Sequence, residues 1–493
     1  MATQSNNVQL RAYRESAVGT PGTQAVMLEP NAGPDFGNEN SLVARDPISK
    51  NRMELAGAIV DRDSKFSAEF DLTMEHLQYL APLAFLADYN GPAEGLADGA
   101  PFYPTSVDST DYVVASGGDL TAGLLIYARG FAVSGNNGLK VVGAASTGTE
   151  IKASGLAAET TTAAQNATVE ICGVQGAAGD ITINADGNIE TTALDCTTLG
   201  LTDGQVIWIG GATGGALVFA TAANRGFARV RGTVTATIIP LDKTVGGTWA
   251  ADNGATKTIQ IFFGRFLRNV AVDNADFAKH TTSFELEWPE LDGGTKYEVS
   301  EGNLCDELKL NFPISAKATM NCSFVGTDTL DISGSQLSGG STARAVVQDD
   351  LFNDSSQMVR VRSTQYDETA LTTYFKNCSV SFKNNASALK VLGSLGAIDI
   401  NYGTFMVGVE AQAVFTEPDL LTAINDSTVV TMEIAMRNAD GGFFLDLPSV
   451  QFGGGKRDLP KNEEVLVNLA GKAVKDGTLG YAASISLFPW LPE

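Results

Sequence analysis

Along this chain, apolar and polar residues alternate with a period of two far more often than with the 3.6 period of a helix, and the runs are short. FSAEFDLT, residues 66–73, sends Phe66, Ala68, Phe70 and Leu72 one way and Ser67, Glu69 and Asp71 the other, predicting a strand with one buried and one polar face. TMEHLQYLAPLAFLA follows at once, with Leu77, Leu80, Leu83 and Leu86 as its apolar positions and Thr73 placed as N-cap. This predicts a short amphipathic helix over a sheet, kinked or split at Pro82. SFELEW (283–288), ELKLNF (307–312) and KATMNCSF (317–324) restore the period of two. No helix of crossover length separates them, so an antiparallel meander is predicted. GTFMVGVEAQAVF alternates from Phe405 to Phe415, TEPDLLTAIND opens a second short helix, and STVVTMEIAMRN, GGFFLDLPSVQF, EEVLVNLAGKAV and YAASISLFPW return to strands.

Three stretches interrupt this rhythm. The first 50 residues are rich in Gly, Pro, Asn and Ser and read as an irregular arm with short extended pieces. Residues 336–370 read as loop or linker, although ARAVVQ and QMVRVRS fit short strands. Between 101 and 257, pieces such as GLLIYA and QVIWIGG are separated by Ala, Gly and Thr, predicting one or two compact all-β modules with a weak internal duplication near 111 and 193, or else loop decoration. The strand and short helix at 66–87 are matched by a strand and short helix at 403–424, which predicts two related β-sandwich-like subdomains. The expected fold is mainly β. Its expected division is an arm and first part of one domain at 1–100, an insertion at 101–257, the remainder of that domain at 258–345, a linker at 346–373 and a second, similar domain at 374–493.

At 493 residues the chain is long enough for two to four domains and for a core that needs no disulfide or metal. With 57 acidic against 33 basic residues the formal charge is −24, which argues against a protein that wraps nucleic acid on a basic face. It leaves open a surface past which nucleic acid slides without sticking. Cys172, Cys196, Cys305, Cys322 and Cys378 lack paired metal-ligand spacing and read as buried thiols. The N-terminus has no apolar signal core, and no uninterrupted apolar run reaches about 18 residues. His76 and His280 stand alone, and Glu285 and Glu287 share the spacing of any solvated strand face as well as that of a catalytic pair. GGGKR at 453–457 and GATGGA at 211–216 lack the frames of phosphate-binding loops, and the former reads as a flexible hairpin with a basic tip. No catalytic, cofactor-binding or metal residues are predicted.

Four segments, in this order, carry a family resemblance: ELAGAIVDRDSKFSAEFDLTMEHLQYLAPLAFL (54–86), the strands of 281–326, LKVLGSLGAIDINYGTFMVGVEAQAVFTEPDLLTAI (389–424) and the strand–glycine turn–strand series of 441–488. Together they resemble the tail tube (major tail) protein family of long-tailed bacteriophages over roughly two thirds of the chain. The departure is the insertion, which resembles accessory β modules of some phage tail proteins and includes GNNGLKVVGAA. The resemblance implies tail-tube sandwich or barrel subdomains with short flanking helices, no enzymatic activity and no cofactor. It implies copies forming rings that stack into a hollow tube, in the virion tail after assembly in the host cytoplasm. Implied partners are further copies, a tape measure protein, tail terminator and tip proteins, and double-stranded DNA in transient, sequence-independent passage, with no membrane anchor. Glu69, Asp71, Glu285 and Glu287, opposite apolar side chains, become candidate lumen-facing acids that repel the DNA backbone. Two related units per chain suit a trimeric, pseudo-sixfold ring, with a hexamer as alternative. The rival functions are a head-decoration or baseplate structural protein and a surface glycan-acting enzyme; the enzyme would need a carboxylate pair in a cleft.

Overall fold

The computed structural model describes residues 7–45, 48, 55–162, 165–211, 214–247, 249–338, 350–353, 356–365, 370–372, 374–416, 418–459, 461–462 and 464–492. The strand expected at ARAVVQ (343–348) lies outside them. The structure is predominantly β, with one large sheet, several small ones and few helices.

The first half of the large sheet is built from β1 (Gln9–Ala17), β2 (Thr20–Leu28), β3 (Asp35–Arg45), β4 (Leu55–Asp71), the helix α1 (Met74–Phe85), β5 (Thr282–Leu291), β6 (Gly294–Pro313) and β7 (Thr319–Gly326). The expected irregular arm is therefore three strands. Its partners lie far away in sequence: β1 pairs with β5, Arg11 opposite Glu285, and no local pattern announces that. The second half is built from β8 (Met358–Gln365), β9 (Ala370–Thr372), β10 (Phe375–Lys383), β11 (Met406–Val414), the helix α2 (Asp419–Asn425), β12 (Val429–Asn438), β13 (Gly441–Asp458) and β14 (Leu466–Ala473), with β15 (Ser484–Phe488) closing the chain. Residues 358–365 and 370–372 of the expected linker thus form the β8–β9 pair, and GGGKR is strand rather than a hairpin tip.

The two halves pair in the same order. β4 meets β7 from Asp71↔Thr319 to Ser64↔Gly326, and β11 meets β14 from Val414↔Leu466 to Val407↔Ala473. β6 meets β7 with one extra residue at Asp306, and β13 meets β14 with one extra residue at Gly455. β5 pairs with the first part of β6 and β12 with the first part of β13. The halves join where β6 pairs with β10, giving a continuous stretch β3-β4-β7-β6-β10-β11-β14-β13.

Alternation along each strand sends apolar side chains to one face of this stretch. Phe70, Met320, Leu310, Val380 and Val409 form one row across five strands, each nearly fully buried. These rows belong to one hydrophobic cluster that runs from Leu10 to Leu487 and takes in both halves, so the expected subdomains share a core. Phe66 on β4 stacks on Phe284 on β5 at 3.8 Å between ring centroids, tying the stretch to the β1–β5 strands above it. α1 lies on the same cluster. Thr73 caps it by accepting from the His76 N–H, and the helix is continuous through Pro82. The loss of one hydrogen bond at Pro82 is offset by the burial of Leu77, Leu80, Leu83 and Pro82 itself.

The region between α1 and β5 forms sheets of four, seven and three strands around one further cluster, from Phe102 to Phe263. The strand Gln260–Phe262 belongs to the seven-stranded sheet, so this sheet runs past residue 257. The insertion is docked on the second half of the large sheet. Phe227 packs on Phe444 and Phe488, and Arg229, 1% exposed, donates from Nη1 to both Asp446 carboxylate oxygens at 2.9 and 2.8 Å.

Candidate functional site

The feature with the reach of a functional surface is the other face of the eight-strand stretch. The strand alternation that buries one row exposes the next. Across β4, β7, β6, β10, β11 and β14 one such row reads Glu69, Asn321, Lys309, Ser381, Gly408 and Lys472. The neighbouring row reads Asp71, Thr319, Asn311, Ser379, Glu410 and Ala470. Serine, threonine and asparagine hold five of these twelve positions and charged residues of both signs another five. Lys309 lies 3.6 Å from Glu410, Lys383 lies 3.3 Å from Glu307, and Lys317 lies 2.5 Å from Asp71. Glu410 is 75% exposed, so its pairing is a weak, solvent-screened contact.

The four acids predicted for the site divide between two places. Glu69 is exposed and Asp71 half-buried on the polar face just described. Glu285 and Glu287 sit on β5, outside the eight-strand stretch. Glu285 is fully buried: it accepts from the Tyr13 hydroxyl at 3.0 Å and the Leu337 N–H at 2.7 Å, with Arg11 Nη1 3.5 Å away. Arg11 Nη2 reaches Glu287 at 2.6 Å. Burial, followed by the charge of Glu285, pushes the Tyr13 phenol up. In the single chain this carboxylate serves the packing of β1 on β5 and presents no charge to solvent. The period-two reading separated apolar from polar positions correctly but could not tell water from a second layer of strands.

Glu307 and Glu410 on the polar face were missed as individual candidates. ELKLNF and GVEAQAV show them at the same alternating positions as Glu69, and that was the available signal. Also missed was Glu433, which occupies on β12 the place Glu285 has on β5 and is just as buried. Arg360 and Arg362 donate to it at 3.0 Å each. Burial pushes its carboxyl up, and the two guanidinium groups oppose that.

Among the described residues, no group of three or more His, Cys, Asp or Glu is placed to hold a metal ion. The five cysteines are free and buried, and burial pushes the Cys322 and Cys378 thiols up to about 12. No described helix is long and apolar enough to cross a membrane. What the surface offers is an extended, polar sheet face with one open hollow of about 490 Å³ beside Asn311, Ser379, Glu410 and Ala470, suited to lining or contact.

A model of the phage tail tube protein family matches residues 238–473. The match covers just under half of the chain, from the end of the insertion through β14, and thus most strands of the polar face. It is similarity to a structural, non-enzymatic viral protein family. No curated protein matches the chain.

Proposed function

We propose that the chain is a tail tube subunit: copies form a ring, rings stack into a hollow tube, and the polar sheet face lines the channel through which the genome passes. The observation that carries this is the family match across residues 238–473, which spans strands of both halves. On this reading the chain is a virion tail component assembled in the host cytoplasm. Its partners are its own copies, a tape measure protein that occupies the channel before DNA, and terminator and tip proteins at the tube ends. The insertion projects outward from the tube wall.

Two halves paired in the same order favour a trimeric ring with pseudo-sixfold symmetry. The wall chemistry also fits passage. A surface of Ser, Asn and Thr on which Glu69, Asp71, Glu307 and Glu410 are interspersed with Lys309, Lys317, Lys383 and Lys472, three of the acids ion-paired, offers among the described residues no basic cluster to hold phosphates. Glu69 and Asp71 remain the lumen candidates; Glu285 and Glu287 act in holding β1 to β5.

Negative-stain imaging of the purified chain tests the reading. Hollow tubes with threefold top views are expected, and a chain that stays monomeric under all assembly conditions would overturn it. In phage, Glu69→Lys with Glu410→Lys should leave tube length unchanged and slow DNA ejection. Unchanged ejection would remove this face as the channel wall.

A further inference from the structure

Away from the polar sheet face, the insertion, α1 and the turn between β12 and β13 enclose a cleft of about 200 Å³. Strand pairing within the insertion sets its floor. The strands Leu124–Arg129 and Thr168–Gln175 run antiparallel with Thr168 opposite Arg129, so alternation puts Arg129, Thr168 and Glu170 on one face. Phe102 bridges Val169, the two residues exchanging both backbone hydrogen bonds at 2.9 and 3.0 Å. Phe102 turns into the core, and its neighbours Pro101 and Tyr103 line the cleft. Gly130 lets the loop at 165–167 close in from the side: it has φ 79°, and a Cβ there would lie 3.0 Å from backbone atoms of Gln165, Asn166 and Ala167. α1 adds Glu75 and Gln78 from its first turns, and Asp440 comes from the second half of the large sheet.

We infer that this cleft binds one pyranose ring of a saccharide. Charge narrows the ligand first. Arg129 is shared within the lining: Nη1 lies 3.4 Å from Asp440, Nη2 lies 3.8 Å from Glu170, and Nε donates to Thr168 Oγ1 at 3.3 Å. Three carboxylates against one guanidinium repel an anion, and a guanidinium that cannot lose its proton stands against a cation. An apolar ligand would strip water from these polar groups and give nothing back. A neutral polyol matches them, because each of its hydroxyls both donates and accepts. The carboxylates of Glu75, Glu170 and Asp440 accept, Arg129 donates, and the amides of Gln78 and Asn166 do both. Tyr103 supplies the preference for a ring. It is 43% exposed, and its flat apolar face suits the C–H face of a sugar while the polar groups take the hydroxyls. The volume is below the roughly 300–1,000 Å³ of sites for drug-sized ligands, which limits occupancy to a single ring. Because the lining comes from the insertion and from both halves of the large sheet, a bound sugar also fastens the root of the insertion to the sheet.

The cleft lies within one chain, so the inference stands or falls independently of the tube reading and is tested on the full chain in solution. Saturation-transfer NMR with the methyl glycosides of glucose, galactose, mannose and N-acetylglucosamine is the direct probe. So few ligand atoms set a Kd on the order of 1 mM. At about tenfold that concentration at least one glycoside should show transfer, strongest at the protons of one ring face, and should raise the urea midpoint of the chain. Tyr103→Ala should weaken binding about five- to tenfold and leave the sugar-free urea midpoint unchanged, while Tyr103→Phe should bind like the parent. Gln78→Ala, on a half-buried helix position, gives a second variant and should weaken binding without loss of fold. Putrescine and inorganic phosphate serve as the cation and anion probes, and neither should displace the glycoside. Absence of transfer from all four glycosides would overturn the inference, as would binding that survives both Tyr103→Ala and Gln78→Ala. Displacement by putrescine or phosphate at equal concentration would overturn the assignment of a neutral sugar.

Discussion

The first and second halves of the large sheet solve one packing problem twice, with different partners at the same positions. In each, a buried glutamate on the strand before the long strand meets arginine from an outer strand: Glu285 with Arg11, and Glu433 with Arg360 and Arg362. In each, one extra residue bends the long strand, Asp306 in β6 and Gly455 in β13. Gly455 has φ 90°, and a Cβ there would lie 3.1 Å from Ile424 on α2, so the second half needs glycine at its extra residue, whereas that of the first half is aspartate. The halves part in what covers them. The insertion leaves the chain after α1 of the first half but docks on β12 and β13 of the second. A region that interrupts one half in sequence thus stabilises the other in space.

The largest way to break this comparison is at that dock. Arg229 is held by Asp446 and by Asp242, with Arg231 also on Asp242 at 2.8 Å. Burial pushes the Asp446 carboxyl up against the pull of Arg229, so removing the guanidinium leaves a buried acid with Tyr481 as its remaining partner. Arg229→Met should lower unfolding free energy by about 3–5 kcal/mol, and Arg229→Met with Asp446→Leu should recover much of it. Urea unfolding followed by tryptophan fluorescence reads both. Joining residue 100 to residue 258 removes Arg229 together with Phe227, so the shortened chain should also be destabilised unless Asp446 is replaced. An unchanged midpoint in Arg229→Met would show that the dock carries little energy.

A smaller effect tests whether the two halves are equivalent. Glu285→Gln and Glu433→Gln each remove a charge from a buried, hydrogen-bonded cluster and should each cost about 2–3 kcal/mol. Costs that agree support equivalent halves. A large cost at Glu433 with none at Glu285 would make the likeness one of strand order alone, and the same urea titration separates the outcomes.

Much of this architecture was legible because alternation is a local signal. FSAEFDLT, ELKLNF and GTFMVGVEAQAVF all became strands, and their buried residues were the ones marked as apolar. Pairing is not local. Nothing within residues 9–17 announces that Arg11 will lie against Glu285, and glutamate in a strand reads as solvent-facing until a second layer is known to cover it. That is why two of the four proposed lumen acids fell on a buried strand pair. Glu69, exposed, and Asp71, half-buried, fell on the polar face of β4. The insertion was legible as short strands around small residues, but its dock depends on Phe227 and Arg229, which lie within an ordinary alternating segment.

The smallest test concerns the two helices that cross the core cluster. α1 has a side-chain cap: Thr73 Oγ1 accepts from the His76 N–H at 3.2 Å, and the His76 ring contacts the Asp71 carbonyl through Nδ1 at 2.9 Å, fastening the end of β4 to the start of the helix. α2 starts at Pro418 without any side-chain cap. Both helices follow a strand of the polar face, so the difference bears on how firmly each strand end is held. Thr73→Ala leaves a buried N–H without its acceptor and should cost about 1 kcal/mol, while Thr73→Ser keeps the oxygen and should stay close to the parent. Hydrogen exchange localises the effect: faster exchange at His76 and Leu77, with the amides of Thr422 to Ile424 in α2 unchanged, is expected. Equal loosening of both helices would mean that the two strand–helix corners are coupled through the shared core, and that the cap at Thr73 serves the whole sheet rather than its first half.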